Sequence, residues 1–227
     1  MKPVIGITPA FGENIIKLNK DYIKAISKSG GISLILTYES DIDEIEDITD
    51  GYLLTGGGDV DASIINEKQH FLSRDVCIKR DLFEIELLKR AIKAKKPVLG
   101  ICRGMQLMCI ASGGKIEQHI EGHFQQRKRS EPFHNVKILE KSYLNKIMNM
   151  SIAEVNSFHH QAVSNLPADI LACACAMDGV VEAIEHKNHP FYIGVQWHPE
   201  AMFDKNEEQK YIFEEFIKCS VDFRGEK

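Results

Sequence analysis

Short apolar runs alternate along the first half of the chain with segments whose apolar residues recur at helical spacing. Runs of the length of a buried strand occupy residues 4–8, 32–37, 51–55 and 98–101. Helical spacing occupies residues 18–29, 39–50, 74–93 and 103–111. In the helix at 74–93, Asp81 and Glu84 fall largely outside the apolar stripe. This alternation predicts a mostly parallel central sheet with right-handed crossovers, flanked by helices.

The second half of the chain has fewer helical segments and more strands. Strand patterns occupy residues 135–139, 170–177, 180–185 and 190–196, and helix patterns occupy 142–148 and 207–219. Asp178-Gly179 lies between two of these strands and favours a tight hairpin turn. We therefore predict a single three-layer α/β domain over residues 1–227, with a small antiparallel strand extension beside the parallel strands.

A cysteine lies at the junction between the strand that ends at Ile101 and the helix that begins at Arg103. Gly100 and Gly104 flank it, and this strand–turn–helix order has the form of a nucleophile elbow with cysteine in place of serine. The free N–H groups and the dipole of the helix favour the reactive thiolate form of Cys102. From this stretch alone, a catalytic thiol and a buried core cysteine both remain open.

Three glycines, Gly56-Gly57-Gly58, follow the strand at 51–55. The lysine and the serine or threonine of a P-loop are missing, and the spacing does not fit a dinucleotide-binding fingerprint. The glycines form either a flexible turn or a loop that holds bare N–H groups against an oxyanion. Because ligands of parallel sheets bind at the carboxyl ends of the strands, this loop and Cys102 can share one crevice.

A histidine and a glutamate follow the strand at 190–196, in Trp197-His198-Pro199-Glu200. Proline favours an extended path, on which residues two apart face the same way. Glu200 is therefore placed to orient His198 and to stabilise its imidazolium. A base that is oriented by a carboxylate and brought near a thiol follows the logic of a catalytic triad.

Charge and composition exclude several classes of protein. A net charge of −5 and a pI near 6.0 argue against general binding to nucleic acid or to an anionic membrane. No apolar run approaches the roughly 20 residues that span a bilayer, and the first residues lack the long apolar segment of a signal peptide. The six cysteines form no spaced disulfide framework, so we expect reduced thiols and a cytoplasmic protein.

The segment 115–134 is rich in charge, histidine and glutamine, and we interpret its basic cluster Arg127-Lys128-Arg129 as part of a solvated loop. Adjacent histidines on an extended chain point to opposite faces, so His159-His160 favours a pocket wall over a metal site. Metal-ligand spacing with a nearby carboxylate is also missing elsewhere. We therefore predict no metal site, and we expect surface or loop positions for His119, His123 and His134.

Two motifs resemble those of class I glutamine amidotransferase-like proteins. Residues 100–107, Gly-Ile-Cys-Arg-Gly-Met-Gln-Leu, are similar to their nucleophile motif, and residues 194–200, Gly-Val-Gln-Trp-His-Pro-Glu, to their His/Glu motif. A second resemblance is to the peptidase C26 branch, and especially to γ-glutamyl-γ-aminobutyrate hydrolase. It is carried by residues 56–60, by Arg80-Asp81 with Glu84, and by residues 156–161. The resemblance implies a flavodoxin-like three-layer fold over a single domain.

The resemblance also implies a chemistry and a role for each motif residue. The reaction would be hydrolysis of a γ-glutamyl amide bond through a thioester, with no metal or organic cofactor. Cys102 would be the nucleophile, His198 the base and Glu200 its orienting partner. Backbone N–H groups would form an oxyanion hole at Gly57, Gly58 and Arg103. The glutamyl group would be held by Gln106, Ser157, Phe158 and His159.

The expected partner is a small γ-glutamyl amide such as γ-glutamyl-γ-aminobutyrate, with no nucleic acid and no membrane. The glutaminase subunit of an ammonia-using amidotransferase is the alternative, which the lack of a synthetase domain in the sequence disfavours. A redox-sensing or non-catalytic relative is a third reading, disfavoured because both His198 and Glu200 are present. The released amine and the oligomeric state stay open, with a homodimer among the alternatives.

Overall fold

A mixed β-sheet between two layers of helices forms the body of the protein in the computed structural model, which describes residues 1–12 and 14–226. In chain order the strands are β1 (Val4–Thr8), β2 (Ala10–Phe11), β3 (Ile16–Lys17), β4 (Ile32–Ile35), β5 (Gly51–Leu54), β6 (Val98–Ile101), β7 (Lys115–Glu117), β8 (His134–Ile138), β9 (Ile152–Val155), β10 (Ala162–Asn165), β11 (Ile170–Ala176), β12 (Val181–His186) and β13 (Tyr192–Val195). The α-helices are α1 (Lys20–Lys28), α2 (Ile42–Ile48), α3 (Ile78–Ala94), α4 (Arg103–Ala111), α5 (Tyr143–Met148), α6 (Pro199–Met202) and α7 (Glu207–Gly225).

The large sheet changes from parallel to antiparallel pairing at β13. Its order is β4-β1-β5-β6-β13-β12-β11-β8-β9. The first five strands of this order are parallel to one another, and the remaining pairings are antiparallel. Strand β13 lies beside β6, so the segments that follow these two strands emerge at the same edge of the sheet. The predicted α/β fold with an antiparallel extension is confirmed, and the extension contains four strands.

The sheet is buried on both faces, which explains why its central strands are continuous apolar runs. Successive side chains on a strand point to opposite faces. Leu53 therefore packs in the core on one side of the sheet, while Tyr52 and Leu54 pack in the core on the other. Among the described residues, no helix is both long and apolar enough to cross a membrane.

The longest predicted helix begins later than its apolar spacing suggests. Helix α3 starts at Ile78 rather than at residue 74, because Asp75 has a positive φ of 50° and Cys77 is extended. The preceding segment instead folds back over the glycine loop that follows β5. Asp59 donates its N–H to the carbonyl of Arg74 at 2.9 Å, and Arg74 donates its N–H to the carboxylate of Asp59 at 2.7 Å. These bonds form one wall beside the crevice at the carboxyl ends of the strands.

Candidate active site

Cys102 lies on a sharp turn between β6 and α4. Its φ of 55° and ψ of −108° are strained for a residue with a side chain. Its N–H donates to the carbonyl of Val195 on β13 at 2.7 Å, which fixes the turn to the sheet. A β-carbon on Gly104 would collide with the backbone carbonyl of Leu54. Glycine at 104 therefore lets the helix approach β5 closely and completes the elbow geometry that the sequence predicts.

His198 and Glu200 lie just beyond β13, at the same edge of the sheet. Nδ1 of His198 is 2.8 Å from Oε1 of Glu200, and we assign the proton to Nδ1, which donates to the carboxylate. The predicted extended path is wrong, because Pro199 begins the helical turn α6. Proline suits the first position of a helix, where no N–H donor is needed. His198 and Glu200 are in contact even though the segment between them is helical and not extended.

The sulfur of Cys102 and the ring of His198 meet over Gly56. A β-carbon on Gly56 would lie 2.9 Å from Cε1 of His198 and 3.6 Å from Cβ of Cys102. Both side chains are buried, with 6% of Cys102 and 5% of His198 exposed. The glycine loop therefore leaves room for the side chains of Cys102, His198 and Glu200 to lie in a row.

Charges within this row shift the titration of its members. Burial acts against the imidazolium of His198, but Glu200 and Cys102 outweigh burial and raise the pKa of His198 to about 9. Burial likewise acts against the carboxylate of Glu200, but His198 and Arg129 hold the pKa of Glu200 below its usual range. The two neighbours therefore favour the imidazolium form of His198, which is the form that the ring takes when it accepts the proton of an adjacent thiol.

Two further residues contact this row and were not found by sequence reasoning. Arg129 lies in the predicted loop with 40% of its side chain exposed, but its Nη2 also donates to Oε1 of Glu200 at 3.1 Å. The hydroxyl of the buried Tyr22 accepts the N–H of Gly56 at 3.1 Å and lies 3.4 Å from Nδ1 of His198. Neither residue lies in a motif, so nothing in the sequence distinguishes them from other arginines and tyrosines.

A cavity of about 470 Å³ opens in front of Cys102. It brings together most of the residues that the sequence predicts for the oxyanion hole and for substrate binding. These are Gly57, Gly58, Arg103, Gln106, Phe158 and His159. Ser157 does not line the cavity, because it is fully buried and its hydroxyl donates to the carbonyl of His123 at 2.6 Å.

The guanidinium of Arg80 holds the backbone of the glycine loop through hydrogen bonds. Its Nη2 donates to the carbonyls of Thr55 at 2.9 Å and Gly56 at 3.3 Å. Arg103 turns its own guanidinium away from the cavity, into a buried ion pair with Asp81 and Glu84. Only the backbone of Arg103, at the start of α4, is therefore available as an oxyanion donor at that position.

Gln106 and Phe158 both line the cavity in front of Cys102. Nε2 of Gln106 donates to the carbonyl of Gln161 at 3.1 Å and to Oε1 of Gln196 at 3.2 Å. Gln196 in turn places its own Nε2 3.5 Å from the sulfur of Cys102. The ring of Phe158 stands edge-on to the ring of His198, with 6.0 Å between centroids. Gln106 thus orients Gln196, which lies beside the sulfur of Cys102, and Phe158 covers the ring of His198.

One expected surface histidine is buried beside this cavity. His123 is only 2% exposed, and its Nδ1 lies 3.1 Å from Oε1 of Glu182, a residue that is fully buried on β12. His134 and His159 also approach Glu182, at 3.6 and 3.4 Å. His123 therefore lies on a loop, as expected, but it is buried and not on the surface, because the hairpin of β11 and β12 brings the carboxylate of Glu182 under that loop.

Comparison with known proteins places this geometry in a family. The family model described as Peptidase C26 matches residues 3–200. The chain belongs to the peptidase C26 family. The match includes the elbow, the glycine loop and the His198–Glu200 pair, so the family resemblance read from the motifs is confirmed.

Individual relatives span nearly the whole chain. The chain is 33% identical to "Putative glutamine amidotransferase-like protein RP404" of Rickettsia prowazekii, covering 96% of this chain and 98% of that protein. It is 27% identical to "Gamma-glutamyl-gamma-aminobutyrate hydrolase PuuD" of Escherichia coli, covering 99% and 96%. A crystal structure of a "putative gmp synthase subunit a protein" from Thermoplasma acidophilum matches with a TM-score of 0.74 at 20% identity, covering 99% and 97%, and shows the same fold.

Proposed function

We propose that this C26 family member hydrolyses the γ-glutamyl amide bond of γ-glutamyl-amine conjugates to glutamate and the free amine. The observation that carries this proposal is the elbow thiol of Cys102, which lies beside the His198–Glu200 pair and faces a cavity of about 470 Å³. A thiol, a base and an orienting carboxylate are the parts that acyl transfer to sulfur requires.

The reaction proceeds in two acyl transfers. His198 accepts the proton of Cys102, and the sulfur attacks the γ-carbonyl carbon. The oxyanion that forms accepts hydrogen bonds from backbone N–H groups of Gly57, Gly58 and Arg103. His198 then returns the proton to the nitrogen of the departing amine, which leaves a thioester on Cys102. In the second transfer His198 takes a proton from water, the hydroxide adds to the thioester, and the thiol leaves as glutamate forms.

Charged side chains at the cavity suit a glutamyl group. Asp59 and Arg74 line it together with His160, so an acidic and a basic residue lie at the cavity that opens in front of the sulfur. A free glutamyl end carries an ammonium and a carboxylate, which call for one acidic and one basic partner. The relative PuuD is named for a γ-glutamyl conjugate of γ-aminobutyrate, which supports the same substrate class here.

The test is a substrate panel with amine release measured for each member. The panel contains γ-glutamyl-γ-aminobutyrate, γ-glutamyl conjugates of simple amines and polyamines, a folate polyglutamate, and glutamine. We expect turnover of at least one γ-glutamyl amine, and none with Cys102→Ala protein. Other relatives are named as amidotransferase-like, so glutamine is the decisive comparison. Cleavage of glutamine without cleavage of any γ-glutamyl amine overturns the proposal and identifies a glutaminase.

A further inference from the structure

Three histidines surround one buried carboxylate beside the cavity, on segments that are distant in sequence. His134 begins β8, Glu182 is on β12, and His123 and His159 lie on the loops that follow β7 and β9. Measured from Oε1 of Glu182, the nearest ring nitrogens are 3.1 Å away for His123, 3.4 Å for His159 and 3.6 Å for His134. This cluster shares no residue with the row formed by Cys102, His198 and Glu200.

The facing atoms of this cluster lie at ion-pair distances from one another but make no hydrogen bond of good geometry to any described residue. Both carboxylate oxygens of Glu182, Nδ1 of His123, and Nε2 of His134 and of His159 are buried without a hydrogen-bond partner. Glu182 itself is fully buried. A buried carboxylate with neither oxygen bonded is costly to a fold. A cation shared by the carboxylate and the imidazoles removes this cost for the whole group.

The outer hydrogen bonds of two histidines leave a lone pair facing Glu182. Nε2 of His123 lies 2.9 Å from Oδ2 of Asp178, so Nε2–H donates outward and Nδ1 is free. Nδ1 of His159 lies 3.0 Å from the carbonyl of Gln161, so Nδ1–H donates outward and Nε2 is free. Donation from the far ring nitrogen to a carboxylate or a carbonyl is the arrangement that fixes the tautomer of a histidine metal ligand.

We propose that His123, His134 and Glu182, with His159 beside them, bind a divalent first-row transition metal of the zinc type. The candidate ligand atoms of His123, His134 and Glu182 all lie within 4.8 Å of one another. Metal–ligand bonds of about 2.0–2.2 Å in a tetrahedral zinc site put neighbouring ligand atoms about 3.3 Å apart, close to the separations from Glu182. Imidazole ligands favour zinc over magnesium or calcium, which prefer oxygen.

The ion acts as a brace for the cavity wall and takes no part in the acyl transfer. The backbone carbonyl of His123 accepts hydrogen bonds from the hydroxyl of Ser157 and the N–H of His159, and so holds the segment 157–159. Phe158, between these two residues, covers His198. A metal that ties His123 and His159 to the sheet at Glu182 therefore fixes the position of Phe158 over the base.

The test measures metal content on protein without a polyhistidine tag. Protein is stripped with a chelator, incubated with zinc chloride, desalted and analysed by mass spectrometry for bound metal. We expect about one zinc ion per chain, a rise in Tm on reloading, and the visible absorption of tetrahedral cobalt when cobalt(II) replaces zinc. Glu182→Gln is expected to abolish stoichiometric binding.

Two variants guard against a misfolded Glu182→Gln protein. Asp178→Asn changes a largely exposed hairpin residue whose Oδ2 contacts the outer nitrogen of His123, and is expected to weaken zinc affinity about 10- to 100-fold. His186→Gln, at the far end of β12, is the matched control and should bind zinc like the unmodified chain. Folded unmodified protein that retains less than about a tenth of an equivalent of zinc overturns the proposal. Equal affinities of Asp178→Asn and His186→Gln overturn it as well. Neither measurement depends on substrate turnover, so failure here leaves the proposed hydrolase untouched.

Discussion

Cys102 differs from the other cysteines in conformation and surroundings. Its positive φ places the sulfur at the start of α4, beside His198, while Cys109 lies in the last turn of the same helix. The sulfur of Cys109 approaches backbone carbonyls at 3.6 and 3.8 Å, and burial raises the pKa of Cys109 to about 11. The thiol of Cys102 is therefore placed for reaction, whereas the thiol of Cys109 is placed for packing.

Replacing each of these cysteines separates the two roles. Cys102→Ala removes the nucleophile, so kcat/KM for the best panel substrate should fall at least about 10³-fold while the circular dichroism spectrum is unchanged. Cys109→Ala, the control in the same helix, should retain activity within a small factor. Undiminished turnover by Cys102→Ala would remove this thiol from the mechanism.

The raised pKa of His198 makes stability depend on pH. The folded imidazole titrates near pH 9 and the unfolded one near its ordinary value of 6.5. Below about pH 6.5 both states are protonated and the full stabilisation is present, up to about 3 kcal/mol. As the pH rises from about 6.5 to 9, the folded state holds a proton that the unfolded state has lost, so this stabilisation decreases.

The comparison that tests this titration is His198→Asn against the unmodified chain in urea unfolding. The difference in the free energy of unfolding should be largest near pH 6 and should shrink toward pH 9. A difference that grows with rising pH contradicts the assignment of a raised pKa to His198.

Helices α3 and α4 are joined by buried charges at the level of the elements. Arg80 and Glu84 pair within α3 at 2.8 Å, and Arg103 of α4 pairs with Asp81 and Glu84. Burial acts against the carboxylate of Glu84, but the two arginines hold the pKa of Glu84 below its usual range. Because Arg80 also holds the glycine loop, this network connects the helix packing to the proposed oxyanion hole.

Removing one charge from this network should be strongly destabilising. Glu84→Gln leaves two buried guanidinium groups short of a carboxylate, so the free energy of unfolding should fall by about 3–5 kcal/mol. Glu86→Gln on the same helix breaks a pair with Arg90 that is half exposed, and should cost no more than about 0.5 kcal/mol. Urea unfolding measures both, and similar losses in the two variants would contradict a structural role for the buried network.

The whole molecule has two cores, one on each face of a continuous sheet. The side chain of Trp197 is fully buried at the active-site edge, where its Nε1–H donates to Oε1 of Gln209 on α7 at 2.9 Å. Trp197 is the single tryptophan of the chain. Its fluorescence therefore reports on the edge where the parallel strands, the antiparallel strands and the terminal helix meet.

If residues 1–227 form one domain, as the sequence predicts, the chain should unfold in one cooperative transition. In urea, Trp197 fluorescence and far-ultraviolet circular dichroism should give the same midpoint. Different midpoints for the two probes would show that parts of the chain unfold separately and would contradict the prediction of one domain over residues 1–227.

The sequence by itself determined the elements and motifs whose physical causes are local. Apolar runs and helical spacing depend on neighbouring residues, and for that reason the central strands and the strand–turn–helix order around Cys102 are predicted correctly. The edge of the sheet at which Cys102 and His198 meet also follows from local order, because parallel strands end at a common edge.

Only the tertiary structure decided which side chains from distant segments share a buried charge. Asp81 and Glu84 fall outside the apolar stripe of α3, yet both are buried because Arg103 reaches them from α4. Arg129 reaches Glu200 from a basic loop, and Glu182 lies under His123 only because β12 joins the sheet. Charge pairing depends on distance in space, which helical or strand spacing does not encode.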